Sequence, residues 1–199
     1  MAMTMTPWGY EVDGELPPIV TPDQFARATG GAFADAARVS AALEGTSAAI
    51  RAWCGWHVSP NLACRAVTSG PGRVIALPTL ALTAVRRVTE GGEELSDGAF
   101  EWRADGLLRR CGWRQWDGAW RSVEVEFDSG LAAEAAPQLA QVACQVAANA
   151  LAATPGVRSE QVGDLSVTYN QLASGVSGGV ALLERDRELL AAFRLPTRA

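Results

Sequence analysis

The segment Ile-Arg-Ala-Trp-Cys-Gly-Trp-His-Val-Ser-Pro, residues 50–60, divides the chain of 199 residues into two kinds of pattern. Before it the sequence is rich in alanine with helical spacing, and after it short runs are separated by turn residues. Ile50 and Trp53 are three residues apart and would share one face of a helix. Gly55 would end that helix, because glycine tolerates a left-handed cap. The residues after Gly55 alternate in polarity, which predicts extended chain. The segment is therefore predicted to join a helix to a strand.

Helix signals occur on both sides of this segment. Thr21 and Gln24 form a capping-box pattern around Pro22, which predicts the start of a short helix. Gly45 is predicted to separate the next two helices, because glycine is a weak helix former. Pro137 is predicted to open the longest helix, which carries an apolar stripe. The predicted helices cover residues 21–28, 35–45, 46–53, 137–153 and 180–193.

Residues 62–127 carry strand and turn signals. Val and Phe alternate with Ser and Glu over residues 122–127, which is the clearest pattern of a half-buried strand. Gly91-Gly92 and Asp105-Gly106 have the composition of two-residue hairpin turns. The predicted fold class is α+β, a helical bundle layer with an inserted small antiparallel β meander. The predicted domains are an N-terminal arm (1–20), a helical body with a C-terminal tail (21–60 plus 131–199) and a β insertion (61–130).

Composition limits the function classes. The net charge is −5, and the 17 basic residues are all arginines scattered along the chain. Duplex-binding proteins usually carry a basic stripe, so tight DNA binding is not expected. No apolar run reaches the roughly 20 residues that span a bilayer, and no signal pattern opens the chain, so a soluble cytoplasmic protein without membrane contact is expected. The four cysteines form no C-x-x-C pair and histidine occurs once, so neither metal nor cofactor is predicted.

Tryptophan is concentrated in the predicted β insertion. A small sheet needs bulky side chains to fill its core, and aromatic side chains can also pack against another subunit. The same rings could instead form a stacking surface for a sugar, which leaves a carbohydrate-binding or ligand-binding module as an alternative. The residues predicted to make core or subunit contacts are Trp53, Trp56, Trp102, Trp113, Trp116 and Trp120.

Catalytic chemistry has little support in the sequence. His57 is the only candidate base for a serine-type triad, and no Gly-x-Ser-x-Gly turn accompanies it. Asp97, Glu101 and Asp105 could supply the carboxylate pair of a hydrolase, but their spacing singles out no pair. The chain is therefore predicted not to be an enzyme.

Four stretches together resemble a known family. They are residues 50–60, residues 77–80 (Leu-Pro-Thr-Leu), residues 100–108 (Phe-Glu-Trp-Arg-Ala-Asp-Gly-Leu-Leu) and residues 160–169 (Glu-Gln-Val-Gly-Asp-Leu-Ser-Val-Thr-Tyr). In this order they resemble tailed-phage head-to-tail adaptor proteins of the HK97-type connector group, particularly versions from actinobacterial phages and prophages. The resemblance covers residues 21–193.

The resemblance implies a structural virion protein, assembled in the host cytoplasm and located in the neck. Such adaptors form a ring, usually dodecameric, that binds the portal, extends the DNA channel and receives the next neck, stopper or tail protein. Genome DNA would pass through without specific binding. The implied channel-side residues are Arg158, Glu160, Gln161 and Asp164. The implied portal-binding residues are Leu189, Leu190, Phe193, Arg194, Leu195 and Pro196.

Overall fold

A computed structural model describes residues 2–152, 159–162, 165–168 and 180–196. In these residues the chain is α+β, as predicted, and no helix is both long and apolar enough to cross a membrane. The helices are α1 (Pro22–Ala28), α2 (Ala36–Cys54), α3 (Pro137–Ala152) and α4 (Glu184–Leu190). The strands are β1 (Met3–Met5), β2 (Tyr10–Asp13), β3 (Leu62–Thr68), β4 (Val74–Ala76), β5 (Leu82–Glu90), β6 (Glu93–Glu94), β7 (Phe100–Trp102), β8 (Leu107–Arg110), β9 (Val123–Ser129), β10 (Ser159–Val162) and β11 (Leu165–Thr168).

The chain forms two compact units. We call Met1–Leu16, Gly55–Ala132 and Phe193–Ala199 the sheet unit, and Pro17–Cys54 and Ala133–Ala192 the helical unit. Each unit is built from segments that are distant in sequence. The predicted domain boundaries at residues 20, 60 and 130 stay a prediction.

Two antiparallel sheets make up the sheet unit. One has the order β1-β2-β3-β9-β5-β6, and the other has the order β4-β8-β7. The predicted meander is wrong in its strand order, because β9 lies between β3 and β5 instead of at the end. The central position of β9 explains its alternation: Val123, Val125 and Phe127 are buried in the core, while the residues between them face away.

The outer face of this sheet carries a ladder of ion pairs. Arg65 donates from Nε to Glu124 Oε1 at 2.8 Å, and Arg87 Nη2 lies 2.6 Å from Glu126 Oε1. The hydrogen bond from Arg65, against a smaller effect of burial, lowers the pKa of Glu124 below its ordinary value. Charges of both signs alternate across the strands, which is typical of a solvated face.

The N-terminal segment is not the arm predicted for residues 1–20. β1 pairs with β2, and β2 pairs with β3, so the segment completes one side of the six-stranded sheet. Tyr10 and Val12 are buried in the core of the sheet unit. In the helical unit, Ile19 N–H donates to Ser47 Oγ at 2.9 Å and holds the following residues on α2. The sequence gives little sign of the contacts with β3 and α2, because those partners lie more than 25 residues away.

The start of α1 agrees with its prediction. Gln24 N–H donates to Thr21 Oγ1 at 3.2 Å, and Thr21 N–H donates to Gln24 Oε1 at 2.9 Å, which completes the capping box. Phe25 then turns into the interior of the helical unit and is 1% exposed. Local hydrogen bonding therefore determines where this helix begins.

One long helix replaces the two that were predicted on either side of Gly45. α2 begins after Asp35, whose Oδ1 accepts from Arg38 N–H at 3.1 Å, and it continues to Cys54. A Cβ atom at Gly45 would lie 3.2 Å from Val180 Cγ2, so the glycine leaves room for a packing neighbour and does not end the helix. Tertiary packing here outweighs the low helix propensity of glycine.

α3 and α4 complete the helices of this unit. Of the predicted stripe along α3, Leu139, Val142, Ala143 and Val146 are buried, whereas Ala150 and Leu151 are only partly buried. The last helix is shorter than the predicted 180–193, because α4 begins at Glu184 and a 3-10 turn, Ala191–Phe193, follows it. The Asp186 carboxylate accepts from Leu183 N–H at 3.0 Å and caps the start of α4.

The segment after α2 is a buried, irregular connection. Gly55 ends the helix with a φ of +81°, as predicted. The predicted extended alternation is wrong, because Trp56, His57, Val58 and Ser59 are all buried and strand pairing begins only at Leu62. Val58 has a φ of +63°, which an extended strand does not allow.

Hydrogen bonds hold this connection inside the sheet unit. His57 N–H donates to Tyr10 Oη at 3.0 Å, and Tyr10 Oη lies 2.7 Å from His57 Nδ1. His57 Nε2 lies 2.9 Å from the carbonyl oxygen of Ser129. This network is satisfied when Tyr10 donates to Nδ1 and Nε2–H donates to Ser129. The single histidine therefore joins β2 to the end of β9.

The Gly130 backbone lies so close to Pro60 and His57 that any side chain at this position should destabilise the fold. A Cβ atom there would lie 2.1 Å from the Pro60 carbonyl oxygen and 2.7 Å from His57 Nε2, and its φ is +117°. We expect Gly130→Ala to lower the free energy of unfolding by about 2–4 kcal/mol in urea denaturation. Gly98→Ala is the control, because no atom lies within 4 Å of its Cβ position. Equal stability of the two variants would contradict this account.

Candidate interaction surfaces

Residues 111–122, which connect β8 to β9, form a loop with a buried centre; we call it the tryptophan loop. Trp116 at its middle is 3% exposed, and its backbone N–H donates to the Gly72 carbonyl oxygen at 2.7 Å. The Arg110 guanidinium carbon lies 5.3 Å from the centre of the Trp116 ring. This stacking places a cation on an aromatic face inside the sheet unit.

A buried ion pair fixes both the loop and the end of β5. Arg110 Nη2 donates to Glu90 Oε2 at 2.8 Å, and the side chains of this pair are 4% and 14% exposed. The other oxygen, Glu90 Oε1, accepts from Asp117 N–H at 2.8 Å. Gly91 N–H donates to the Ser122 carbonyl oxygen at 2.8 Å. The loop is thus held at its beginning, middle and end.

Two tryptophans of this loop extend into solvent. Trp113 is 95% exposed and Trp120 is 92% exposed. Trp102 on β7 is 41% exposed, so the tryptophans of this region do not form one core as a group. Of the three tryptophans in the loop, only Trp116 fills the interior, and Trp113 and Trp120 are exposed. Such large exposed apolar groups are typical of interaction sites.

The other two predicted tryptophans lie near residues 50–60. Trp56 is fully buried, and its Nε1–H donates to the Phe193 carbonyl oxygen at 2.7 Å. Trp53 is only partly buried, although its spacing with Ile50 places both on one helix face. The Arg187 guanidinium carbon lies 5.1 Å from the centre of the Trp53 ring. Trp56 is therefore the structural tryptophan of this segment.

The helical unit carries a groove between α1 and α3. It has a volume of about 460 Å³, and Gln24 and Ala28 of α1 face Ala140, Cys144 and Ala148 of α3 across it. The whole of α3 contains no charged residue. Burial raises the pKa of the Cys144 thiol above its ordinary value of 9.0, so the thiol is neutral at physiological pH. The groove therefore presents an uncharged surface, in which small side chains alternate with glutamines.

This groove is not predicted from the sequence, which indicates only a buried apolar stripe on α3. The available signal was the absence of charge over sixteen residues, since an exposed helix face in water usually carries charged side chains. Charge depletion of this kind is typical of the centre of a protein interface.

The C-terminal residues implied to bind the portal lie in two different environments. Leu189 is 50% exposed, whereas Leu190 is fully buried in the helical unit. Phe193 is partly buried and accepts the hydrogen bond from Trp56. Leu195 and Pro196 line a second groove of about 400 Å³ in the sheet unit, together with Trp8 and Leu80, and Arg194 is exposed. Removing the segment from Leu189 onward would therefore also remove structural contacts.

Two of the four implied channel-side residues lie outside the described part of the chain. Arg158 and Asp164 are outside it. Glu160 and Gln161 lie on β10, which pairs with β11 in an antiparallel hairpin. Their role in a channel stays a prediction.

Two of the three carboxylates that could serve a hydrolase, Glu101 and Asp105, are paired with arginines. Glu101 Oε2 lies 2.6 Å from Arg109 Nη2, and Asp105 Oδ2 lies 2.8 Å from Arg103 Nη2. Asp97 begins a short 3-10 turn, Asp97–Ala99. Among the residues that the structure describes, no group of three His, Cys, Asp or Glu side chains could hold a metal ion. Surface ion pairs of this kind are common and carry no specific chemistry.

The different burial of the loop tryptophans predicts different costs of substitution. We expect Trp116→Ala to lower the free energy of unfolding by about 3–5 kcal/mol, because it empties the centre of the loop. Trp113→Ala should change it by about 0.5 kcal/mol or less, because the ring lies in solvent. Urea denaturation of both variants tests this pair. A large loss of stability in Trp113→Ala would show that its ring is packed.

Comparisons with known proteins show a whole-length structural likeness. No model of a protein family and no curated protein sequence matches the chain. The chain is similar to one in the neck of a native gene transfer agent (GTA) particle computed with C12 symmetry, with a TM-score of 0.58 and 17% identity over 100% of this chain and 98% of that one.

Two further structures give the same result. A chain in the neck of an empty GTA particle computed with C6 symmetry has a TM-score of 0.58 and 16% identity, over 96% of this chain and 97% of that one. A chain in the virion of a native GTA particle has a TM-score of 0.60 and 17% identity, with the same coverage. The chain thus shares its fold with components of the neck and virion of GTA particles.

Proposed function

We propose that the chain is a structural virion protein of a phage-type neck, where identical copies form a ring beneath the portal and join the capsid to the neck and tail. The observation that carries this proposal is the likeness to chains of GTA necks over 96% or more of the length of both chains. A likeness over the whole chain covers both units, whereas a shared motif would cover only one part of the chain.

Cyclic symmetry supports the ring. One of the similar necks was computed with C12 symmetry, which fits the dodecamer implied by the sequence resemblance. In a cyclic ring each subunit uses two different faces, one for each neighbour. The exposed tryptophans of the loop and the neutral groove on α3 are two such unlike surfaces. In this proposal the helical unit forms the body of the ring.

The finer assignments follow the resemblance to HK97-type adaptors of actinobacterial phages. The ring extends the DNA channel, with Arg158, Glu160, Gln161 and Asp164 on the channel side. The net charge of −5 suits a conduit for DNA, because a wall of excess arginine would bind phosphates. DNA then passes without specific binding, and the ring's next partner is a stopper or tail protein.

The portal-facing surface is assigned to the C-terminal segment. Leu189 and Arg194 are exposed there, and Leu195 and Pro196 line a groove. These residues carry the proposed portal contact. Leu190 and Phe193 act indirectly, because Leu190 is buried in the helical unit and the Phe193 carbonyl holds Trp56.

A carbohydrate-binding module is the second candidate. The exposure of Trp113 and Trp120 favours it, because exposed rings on a rigid loop can stack against sugars. Binding to a glycan array that is lost in Trp113→Ala would support this candidate. A folded protein that binds no glycan on the array would exclude it.

Particles made without this chain test the proposed function. We expect a deletion to give filled heads that carry no tails, because the joint between them is missing. Electron microscopy of purified particles measures this, and expression of the wild-type chain in trans should restore the tails. DNA-filled particles with attached tails in the deletion strain would refute the proposal.

A single exposed side chain tests the portal contact without disturbing the fold. We expect Leu189→Asp to reduce co-purification with the portal protein by about tenfold or more, which corresponds to about 1.4 kcal/mol. Leu189 is 50% exposed, so the melting temperature should stay close to that of the wild type. Met5→Asp, at an exposed position on β1, is the control and should bind normally. Normal binding by Leu189→Asp would show that Leu189 is not part of the portal contact.

A further inference from the structure

Two apolar surfaces of this chain lack a partner within the described residues. The first is the pair Trp113 and Trp120, exposed on a loop that the Trp116 ring and the Arg110–Glu90 ion pair hold in place. The backbone that carries these two indoles is already held, so binding has to order only the two side chains and not the loop. The loop is therefore prepared for a contact before the contact forms.

The second surface is the groove between α1 and α3. Its lining on α3 consists of Ala140, Gln141, Cys144, Gln145 and Ala148, with no charge on the helix. Small side chains let a bulky group approach the helix backbone, and glutamines can hydrogen-bond to an indole N–H or a loop carbonyl. The groove is open to solvent and has a volume of about 460 Å³, which is large enough for an aromatic ring.

We propose that the tryptophan loop of one copy docks into the α1–α3 groove of the next copy, so that the two surfaces form the repeated contact of the ring. This inference rests on the proposed function, since it names the contact by which that ring closes. The occupant of the groove is a second copy of this chain, because the chain itself carries exposed rings of the size and polarity that the groove accepts.

The area of the two tryptophans supports a contact between copies. A buried tryptophan contributes about 150–250 Å², so the pair supplies about 300–500 Å². A stable interface needs about 800 Å² on each side. The two rings thus provide about half of one side, and the arginines beside them, Arg114 and Arg121, lie at the rim, where polar groups usually occur in interfaces.

The two surfaces are different, which determines the symmetry of the contact. The loop belongs to the sheet unit and the groove to the helical unit. A contact between unlike surfaces is heterologous, so each copy binds one neighbour through its loop and another through its groove. Repetition of this contact by rotation gives a closed ring, as a neck of cyclic symmetry requires.

Cross-linking between two thiols tests the contact directly. Cys144 lies in the groove, and the variant Arg114→Cys places a second thiol beside Trp113 while both tryptophans remain. Cys111→Ser in the same chain removes the other thiol of the loop, and Cys54 and Cys64 are buried. Particles carrying this double variant are purified, treated with a short bis-maleimide and separated by denaturing electrophoresis.

A heterologous contact predicts a ladder of covalent dimers, trimers and larger species, because every copy carries one thiol of each kind. Adding Cys144→Ser should abolish the ladder. A control chain with Cys111→Ser and Met5→Cys, which moves the second thiol to the exposed strand β1, should give no ladder. Absence of a ladder in particles that contain the Arg114→Cys chain would overturn the docking, and so would cross-links confined to single chains or dimers.

The same particles separate failure of this contact from failure of the proposed function. Particles that contain the chain in the neck but give no ladder overturn only the docking, whereas particles that lack the wild-type chain overturn both. If the Arg114→Cys chain is not incorporated, the native pair Cys111 and Cys144 of the wild-type chain replaces it in the same experiment. A folded Trp113→Ala/Trp120→Ala chain should be reduced at least tenfold in the neck, and normal incorporation would contradict the contact.

Discussion

The hydrogen bonds of His57 join parts of the chain that are far apart in sequence. Its ring lies between the Tyr10 hydroxyl of β2 and the Ser129 carbonyl at the end of β9, at 2.7 and 2.9 Å. The ring is fully buried, so removing any one of these partners would leave a buried polar group without a hydrogen bond and would destabilise the folded state. The connection from α2 to β3 must therefore follow one path. That path sets the positions at which β2, β3 and β9 pair, and Gly130 leaves the space that it needs.

Local signals in the sequence predicted the features that depend on local contacts. Thr21 and Gln24 cap α1 through bonds between residues three apart, and the alternation over residues 122–127 predicts a half-buried strand whatever its neighbours are. Gly91-Gly92 likewise forms the predicted tight turn between β5 and β6. Such features need only a short window of sequence, so a single chain was enough to find them.

The features that were missed depend on distant partners. The strand β2 pairs with β3, more than 50 residues further along the chain, and α2 passes through Gly45 because Val180 packs beside it. The four tryptophans of the β region looked equivalent in sequence, yet Trp116 is buried and Trp113 is exposed, because only Trp116 stacks on Arg110. The number of tryptophans in the sequence therefore indicates that this region makes apolar contacts, but it does not indicate which tryptophans are buried and which are exposed.

The proposed function depends on surfaces that are complete only between copies of the chain. An image reconstruction of the neck of purified particles tests the ring most directly. The account predicts twelve copies of this chain in one ring directly beneath the portal. This number agrees with the C12 symmetry of the similar GTA neck. Density for this chain elsewhere in the particle, or as isolated copies at the neck, would contradict it.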